Sequence, residues 1–521
     1  MESIVDAVLL LAIATIGAAL ARRLGLLAPL LLLVTGLILS FVPGLLEIHL
    51  DHELVLVGIL PPLLYVAALQ TSLPAFRFNL RPILSLAVGL VVVTAVVIGF
   101  ALHAIVPAAP LWSCLALGAI VAPPDAVAAT AVARRIGLPR RVVTILEGES
   151  LLNDATALVM LRVCLAAAAG AVGVLDIGLE IAQAAGGGVL LGLAAAVLAA
   201  KLHRRIEEPL LDDAVSLLTP FVVVLVAEAL HLSSIVAVVV AGLYLGHRIP
   251  QLLSAAARLQ MDAVWRLITF LLEGTVFLLV GLQVRDVLRA IETPAPTVVL
   301  ATAVTIALLL AVRFAWLLPA AYLSRLVPAM RRRDPAPDPG ASAVIGWAGM
   351  RGVVTLAAAL ALTPVEVLGV EYPRELLIWI AFATIVVTLL LHGTTLPAFA
   401  RLMRLRRDDP MQDVLAEAGV QQQASAAARA RLDALADGAP EEVVERLRSL
   451  SEIRANLAWE RLGSQEQETP SRAYARLRRE MIDAEREVFR VARDEGRIAE
   501  EVLDRAQRGL DLEETQLRKY E

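Results

Sequence analysis

The chain has 521 residues, is 58% hydrophobic and 19% charged, and carries a formal net charge of −5. Soluble domains hold nearer a quarter of their residues as charges, so a mean hydropathy of +0.73 excludes an ordinary water-soluble fold. The apolar stretches have no period-2 alternation, which excludes a β-barrel, and they are of the order of the roughly 20 residues that a helical span requires.

Thirteen spans are predicted in chain order, at about 4–20, 26–44, 52–70, 82–106, 111–133, 140–169, 177–202, 211–231, 233–248, 262–284, 297–327, 341–364 and 375–401. Glu2 and Asp6, not a basic cluster, precede the first, so no cleaved signal peptide is expected. Odd-numbered spans are followed by Arg22 and Arg23; Arg77 and Arg81; Arg134, Arg135, Arg140 and Arg141; and Lys201, Arg204 and Arg205. Arg248 and Arg258, then Arg325 and Arg331 to Arg333, then Arg401, Arg404, Arg406 and Arg407 continue the pattern. Even-numbered spans are followed only by Arg285, Arg289 and Arg374. The positive-inside rule then puts the N-terminus outside and the C-terminus in the cytoplasm of a multi-pass protein of the cell (inner) membrane. Cys114 and Cys164 lie inside apolar runs and read as small buried hydrophobes.

Ionisable groups at bilayer depth are costly and mark function. Span 5 reads Ala119-Ile120-Val121-Ala122-Pro123-Pro124-Asp125-Ala126. Each proline lacks an N–H and clashes with the carbonyl four residues back, so the helix must open there. Freed carbonyls from Val121 to Pro124 need a partner, for which a cation serves, and Asp125 suits the N-terminus of a second half-helix. The plainer alternative is a proline kink with a capping aspartate.

Span 6 reads Glu147-Gly148-Glu149-Ser150-Leu151-Leu152-Asn153-Asp154-Ala155-Thr156. Ser150 and Asp154, four apart, share a helix face, with Asn153 beside it. Glu149 and Asp154, five apart, differ by about 140° around the axis and do different jobs. Hard oxygen donors of this kind suit a small hard cation better than a transition metal.

Two arginines answer these carboxylates. Arg313 lies within span 11, and Arg351 within Gly346-Trp347-Ala348-Gly349-Met350-Arg351-Gly352 of span 12, whose glycines predict a second broken helix opposite the first. An arginine keeps its charge, so each must meet a carboxylate or helix-end carbonyls. Arg313 is assigned to Glu149, and Arg351 to the broken-helix ends. Glu228 and Glu273 are also intramembrane and read equally as helix-end, packing or transport residues, while Arg162 reads as snorkelling to an interface. There is no nucleotide loop, zinc spacing or nucleophile elbow, so neither an enzyme nor a bound cofactor is expected, and no nucleic-acid partner; Gly186-Gly187-Gly188 reads as close helix packing.

Past about residue 405 the chain becomes polar. Val443, Leu447, Leu450 and Leu457 fall at helical spacing, and Thr469-Pro470 predicts a capped start for a helix through Tyr474, Leu477, Met481, Ala484 and Val488. These amphipathic helices are expected to pack on each other or on a partner subunit; a regulatory domain is the sharper reading.

Gly148-Glu149-Ser150-Leu151-Leu152-Asn153-Asp154 resembles the ion-binding span of the monovalent cation/proton antiporters, the family of bacterial NhaP-like sodium/proton exchangers and their animal counterparts. Leu60-Pro61-Pro62-Leu63-Leu64-Tyr65, Pro123-Pro124-Asp125 and Gly349-Met350-Arg351-Gly352 are similar to three further family motifs, in the family's order. The resemblance covers about residues 1–405, leaving 406–521 as a cytoplasmic helical tail. It implies an all-α fold of about thirteen helices in two inverted repeats, with crossed broken helices, a mobile core domain and a dimer interface, hence a homodimer. It implies further that Asp154 accepts the sodium ion or the proton, that Ser150 and Glu149 help hold the ion, and that Asp125 and the Pro124 carbonyl complete the site. Asn153 resembles the residue that fixes the unwound segment, and Arg313 the one that neutralises Glu149. Many members carry Thr-Asp-Pro where this chain has Pro124-Asp125-Ala126, so a backbone carbonyl must replace a hydroxyl.

The expected mechanism is competition at Asp154. Burial disfavours an ionised carboxylate and a bound cation favours it, so pH decides occupancy, and rocking of one domain on the other turns the loaded site to either side. Asn153 in place of a second acid leaves one titrating charge, which implies electroneutral exchange of one sodium (or lithium) ion for one proton. The alternatives are a potassium/proton exchanger, a cation channel and a sodium-binding sensor.

Overall fold

A computed structural model describes the chain except residues 1, 43–53, 126–128, 131, 134–135, 169–173, 324–337, 363–370, 406–408, 461–468 and 518–521. The predicted loop charges Arg134, Arg135, Arg325, Arg331 to Arg333, Arg406 and Arg407 therefore lie outside the described residues, as does Ala126. The chain divides into two compact units, Met1–Arg407 and Asp408–Glu521.

Apolar runs with no water to satisfy their backbone close their hydrogen bonds internally, and every described element of the first unit is helical. In order the principal ones are α1 (Glu2–Leu24), α2 (Ala28–Ser40), α3 (Leu60–Gln70), α4 (Leu80–Ile105), α5 (Leu111–Val121), α6 (Arg140–Ala168) and α7 (Val174–His203). There follow α8 (Pro209–Ala229), α9 (Ser234–Leu252), α10 (Ala255–Leu282), α11 (Ala295–Leu323), α12 (Pro339–Trp347), α13 (Val353–Leu360) and α14 (Arg374–Leu402). Each of the thirteen predicted spans holds at least one of these helices; the twelfth holds two because it breaks, and the fifth breaks after Val121 and is helical again at residues 129 and 130. Eight helical segments among the described residues are long and apolar enough to cross a bilayer, with shorter apolar helices at Ala28–Ser40, Val57–Gln70 and Leu111–Val121.

Two apolar cores organise the unit. One includes Leu32 of α2, Ile98 and Leu102 of α4, Leu117 of α5, Leu146 of α6, Leu309 of α11 and Ile385 of α14. The other gathers Tyr65 of α3, Ala196 of α7, Val223 of α8, Val238 of α9 and Trp265 of α10. Buried polar contacts pin the second core. His203 Nδ1 lies 2.7 Å from Asp212 Oδ1, tying the end of α7 to the start of α8, and the Trp265 indole donates to Ser216 at 3.0 Å. A Cβ at Gly188 would stand 2.8 Å from the Ser233 carbonyl, so the predicted glycine packing is a close approach of α7 to the start of α9.

The second unit holds α15 (Pro410–Asp433), α16 (Glu441–Glu460), α17 (Pro470–Asp494) and α18 (Glu500–Leu517). α17 starts where predicted: Thr469 accepts from the Arg472 amide with Pro470 in the first turn. Its buried face differs from the expectation by one residue. Ala475 and Ile482, with Phe489, pack on Leu510 and Leu517 of α18, whereas Tyr474, Leu477, Met481 and Val488 are exposed. α17 carries two adjacent apolar stripes at seven-residue spacing, and charge selects between them. Arg478 chelates Glu513 at 2.7 and 2.8 Å, and Arg486 donates to Asp511 and Glu514 at 2.5 Å, which turns the Ile482 stripe toward α18. On α16, likewise, Val444 is buried while Val443, Leu447 and Leu450 are exposed.

Candidate functional site

α5 ends at Val121, residues 122–125 are non-helical, and residues 129 and 130 are helical again. α12 ends at Trp347 and α13 begins at Val353. The two interruptions meet: the Asp125 amide donates to the Met350 carbonyl at 2.7 Å. A Cβ at Gly352 would lie 1.9 Å from Asp125 Oδ2, so only glycine allows this approach.

The freed carbonyls expected to call for a cation find protein donors at two positions. Arg351 Nε donates to the Val121 carbonyl at 2.7 Å, and its Nη1 to Gly349 at 3.0 Å. Asn153 Nδ2 donates to the Pro124 carbonyl at 2.8 Å. One fixed guanidinium thus bridges both broken helices, with its own amide on Thr388 of α14 at 3.0 Å. Such a charge neutralises two helix C-termini without occupying the space beside Asp154.

Glu149 is 1% exposed and Arg313 2% exposed. Arg313 reaches both oxygens of Glu149, at 2.6 and 2.9 Å, and also donates to the Ile345 carbonyl, where α12 nears its end. Bidentate pairing fixes both partners. Glu149, expected among the sodium ligands, therefore has both oxygens occupied and is turned away from the cavity described next.

A cavity of 730 Å³ runs inward from the α1–α2 turn (Arg22, Gly25) and the end of α3 (Gln70, Thr71) to Asp125, Ser150 and Asp154. Asp154 is 6% exposed, and no hydrogen bond to its carboxylate occurs among the described residues. The Pro124 carbonyl is not on the cavity wall. Glu147 and, on α10, Thr269 and Glu273 are on it. Periodicity could have found Glu147, which lies three residues before Ser150 and seven before Asp154 on one helix face. Nothing in the sequence of α10 ties Glu273 to α6. Arg162 is not merely snorkelling: its guanidinium reaches Glu228 at 3.3 Å.

A buried carboxylate on a cavity wall, beside a hydroxyl and two joined helix breaks, has the chemistry to hold a small cation or a proton. The family profile described as sodium/hydrogen exchanger, transmembrane, matches residues 8–402. This chain belongs to the sodium/hydrogen exchanger family. It is 35% identical over 528 residues to an exchanger of Mycobacterium tuberculosis described as an uncharacterized Na+/H+ exchanger, with 98% of this chain and 95% of that one covered. It is 32% identical to a sodium, potassium, lithium and rubidium/H+ antiporter of Bacillus pumilus, over 71% of this chain and 57% of that protein. The fold is that of the sodium proton antiporter MjNhaP1 of Methanocaldococcus jannaschii at pH 8, with a TM-score of 0.61 and 18% identity, over 77% of this chain and 99% of the other. The protein is a multi-pass cation/proton antiporter and not an enzyme.

Proposed function

We propose that this antiporter exchanges sodium, or lithium, for protons one for one, with both competing for Asp154. The observation that carries the reading is the Asp154 carboxylate itself: buried, on the cavity wall beside Ser150 and Asp125, and without a hydrogen-bonding partner among the described residues. An isolated buried charge is costly, so such a group holds either a proton or a cation at rest. Glu149 and Arg313 cancel each other, and Asn153 is neutral. With Asp154 as the one group that gives up and takes back a proton, either cargo leaves the same total charge and no net charge moves. Ser150 and Asp125 supply further oxygens to the ion. Glu149 and Pro124 position the site, Pro124 through Asn153, in place of direct ligation.

Alternating access then turns the site between faces by movement of the body holding α5, α6 and α11 to α14 against that holding α3 and α7 to α9. With the arginine-rich loops in the cytoplasm of the cell membrane, the cavity mouth at Arg22 and Thr71 faces inward, and the tail is cytoplasmic. The second body supplies the surface for a homodimer. Potassium is the second reading, favoured by the range of cations for which the Bacillus relative is named.

The test is acridine dequenching in everted vesicles with sodium, lithium and potassium in turn, in the parent and in Asp154→Asn. Sodium-driven proton movement that is insensitive to voltage and lost in the variant is expected. Exchange surviving in folded Asp154→Asn overturns the assignment of the site, and a larger potassium response overturns the selectivity.

A further inference from the structure

Arg162 and Glu228 form an ion pair that joins the two packed bodies of the membrane unit. Arg162 belongs to α6, which is fixed to the broken helices through Asn153 and Glu149. Glu228 ends α8, and Ser234 at the start of α9 donates to Glu228 Oε1 at 3.0 Å. The guanidinium meets the carboxylate at 3.3 and 3.5 Å, with side chains 56% and 47% exposed.

This contact lies on the face opposite the cavity mouth. Along α6, Glu147 lines the cavity and Arg162 comes fifteen residues later, about 22 Å further along the axis. Along α9, a Cβ at Gly246 would stand 2.2 Å from the Leu69 carbonyl, next to the mouth residues Gln70 and Thr71. Ser234 precedes Gly246 by twelve residues, about 18 Å. None of Arg162, Glu228 and Ser234 lines the cavity. Both helices thus place the pair on the far side of Asp154 from the open end.

We propose that Arg162, Glu228 and Ser234 form a latch that closes this face while the cavity is open on the other, and that parts each time the site turns. The inference rests on the alternating-access reading above. An ion pair half exposed to its surroundings is held loosely, which suits a contact remade in every cycle. A serine at the first turn of α9 steadies the carboxylate without adding charge. A purely structural bridge would instead stay closed throughout the cycle.

The experiment traps the contact. Arg162→Cys and Glu228→Cys are combined in full-length protein whose Cys114 and Cys164 are replaced by alanine, reconstituted in proteoliposomes and joined with a short bifunctional methanethiosulfonate. Sodium-driven proton flux is expected to fall at least tenfold on cross-linking and to return on reduction, with the single variants unaffected by the reagent. A second arm covers a folding defect in the cysteine variants: Arg162→Glu and Glu228→Arg each lower flux at least fivefold, and together restore it to within twofold. Fully cross-linked protein that still exchanges overturns the latch, as does a paired reversal no better than the single ones. Absence of flux in the cysteine-free parent counts against exchange itself, so the two failures are distinguishable.

Discussion

The Asp125 amide and the Met350 carbonyl are 2.7 Å apart, so the two broken helices are joined backbone to backbone where each is unwound. Neither helix could open this way alone, because its freed groups would be orphaned in an apolar interior. The junction leaves the Asp125 side chain on the cavity wall, and it depends on residue 352 having no Cβ.

Gly352→Ala is accordingly expected to force the junction apart. A methyl group 1.9 Å from Asp125 Oδ2 cannot be accommodated by rotation of a long side chain, since Asp125 is short and its amide is fixed. Overpacking of this kind costs about 1–3 kcal/mol. Exchange is expected to drop about tenfold or more while membrane insertion persists. Vesicle flux normalised to the protein recovered by size exclusion checks this, and unchanged flux contradicts the account of the junction.

The pair Arg313–Glu149 separates stability from transport. Removing one partner of a buried pair costs about 3–5 kcal/mol, because the other is left charged and unmatched. Arg313→Met is therefore expected to lower the thermal midpoint of the detergent-solubilised protein sharply, and adding Glu149→Leu to recover most of the loss. If Glu149 instead ligated the cation, the double variant would regain stability without sodium protection of the midpoint. Sodium protection that survives in the double variant supports the purely structural role.

How far the site was legible follows from which of its relations are local. The shared face of Ser150 and Asp154 is fixed by spacing along one helix, and the break at Pro123 and Pro124 by the missing amides, so both could be read from the sequence. The partner of a buried arginine could be narrowed by charge, which gave Glu149 for Arg313. The Val121 carbonyl as the target of Arg351 depends on two helices crossing, and Glu273 reaches the cavity only through the packing of α10, so neither leaves a local trace. In the tail, spacing marked the helices well but could not choose between two neighbouring stripes of α17. Arg478 and Arg486, through carboxylates on α18, made that choice.

Asn153→Ala tests whether the unwound segment must be tied down. The variant leaves the Pro124 carbonyl without its amide donor, which lies at 2.8 Å in the parent. An unsatisfied buried acceptor costs about 1–3 kcal/mol, enough for a roughly 5- to 150-fold rise in the sodium concentration at half-maximal exchange if the tie holds the cation site in shape. Maximal flux should change less than that concentration does. An unaltered sodium dependence would mean that the Pro124 carbonyl has no bearing on ion binding.

The tail carries a pH dependence of its own. Arg478 chelates Glu513 through two hydrogen bonds and holds its carboxyl below the usual range, and Arg490 does the same for Glu487. Because the folded pKa lies below the unfolded one, the stabilisation is complete above the ordinary glutamate value of about 4.3. It is lost as pH falls through the lowered folded value. Glu487 and Arg490 are exposed and Glu513 is partly so, so salt weakens the effect. The helical circular dichroism of the segment 408–521 is expected to hold steady from neutral pH to about 5 and to lose thermal stability in more acid solution. Arg478→Ala should reduce stability at neutral pH and flatten the acid transition, because Glu513 then titrates alike in both states. An acid transition of the same size in that variant would assign it to other carboxylates and detach it from the α17–α18 pairing.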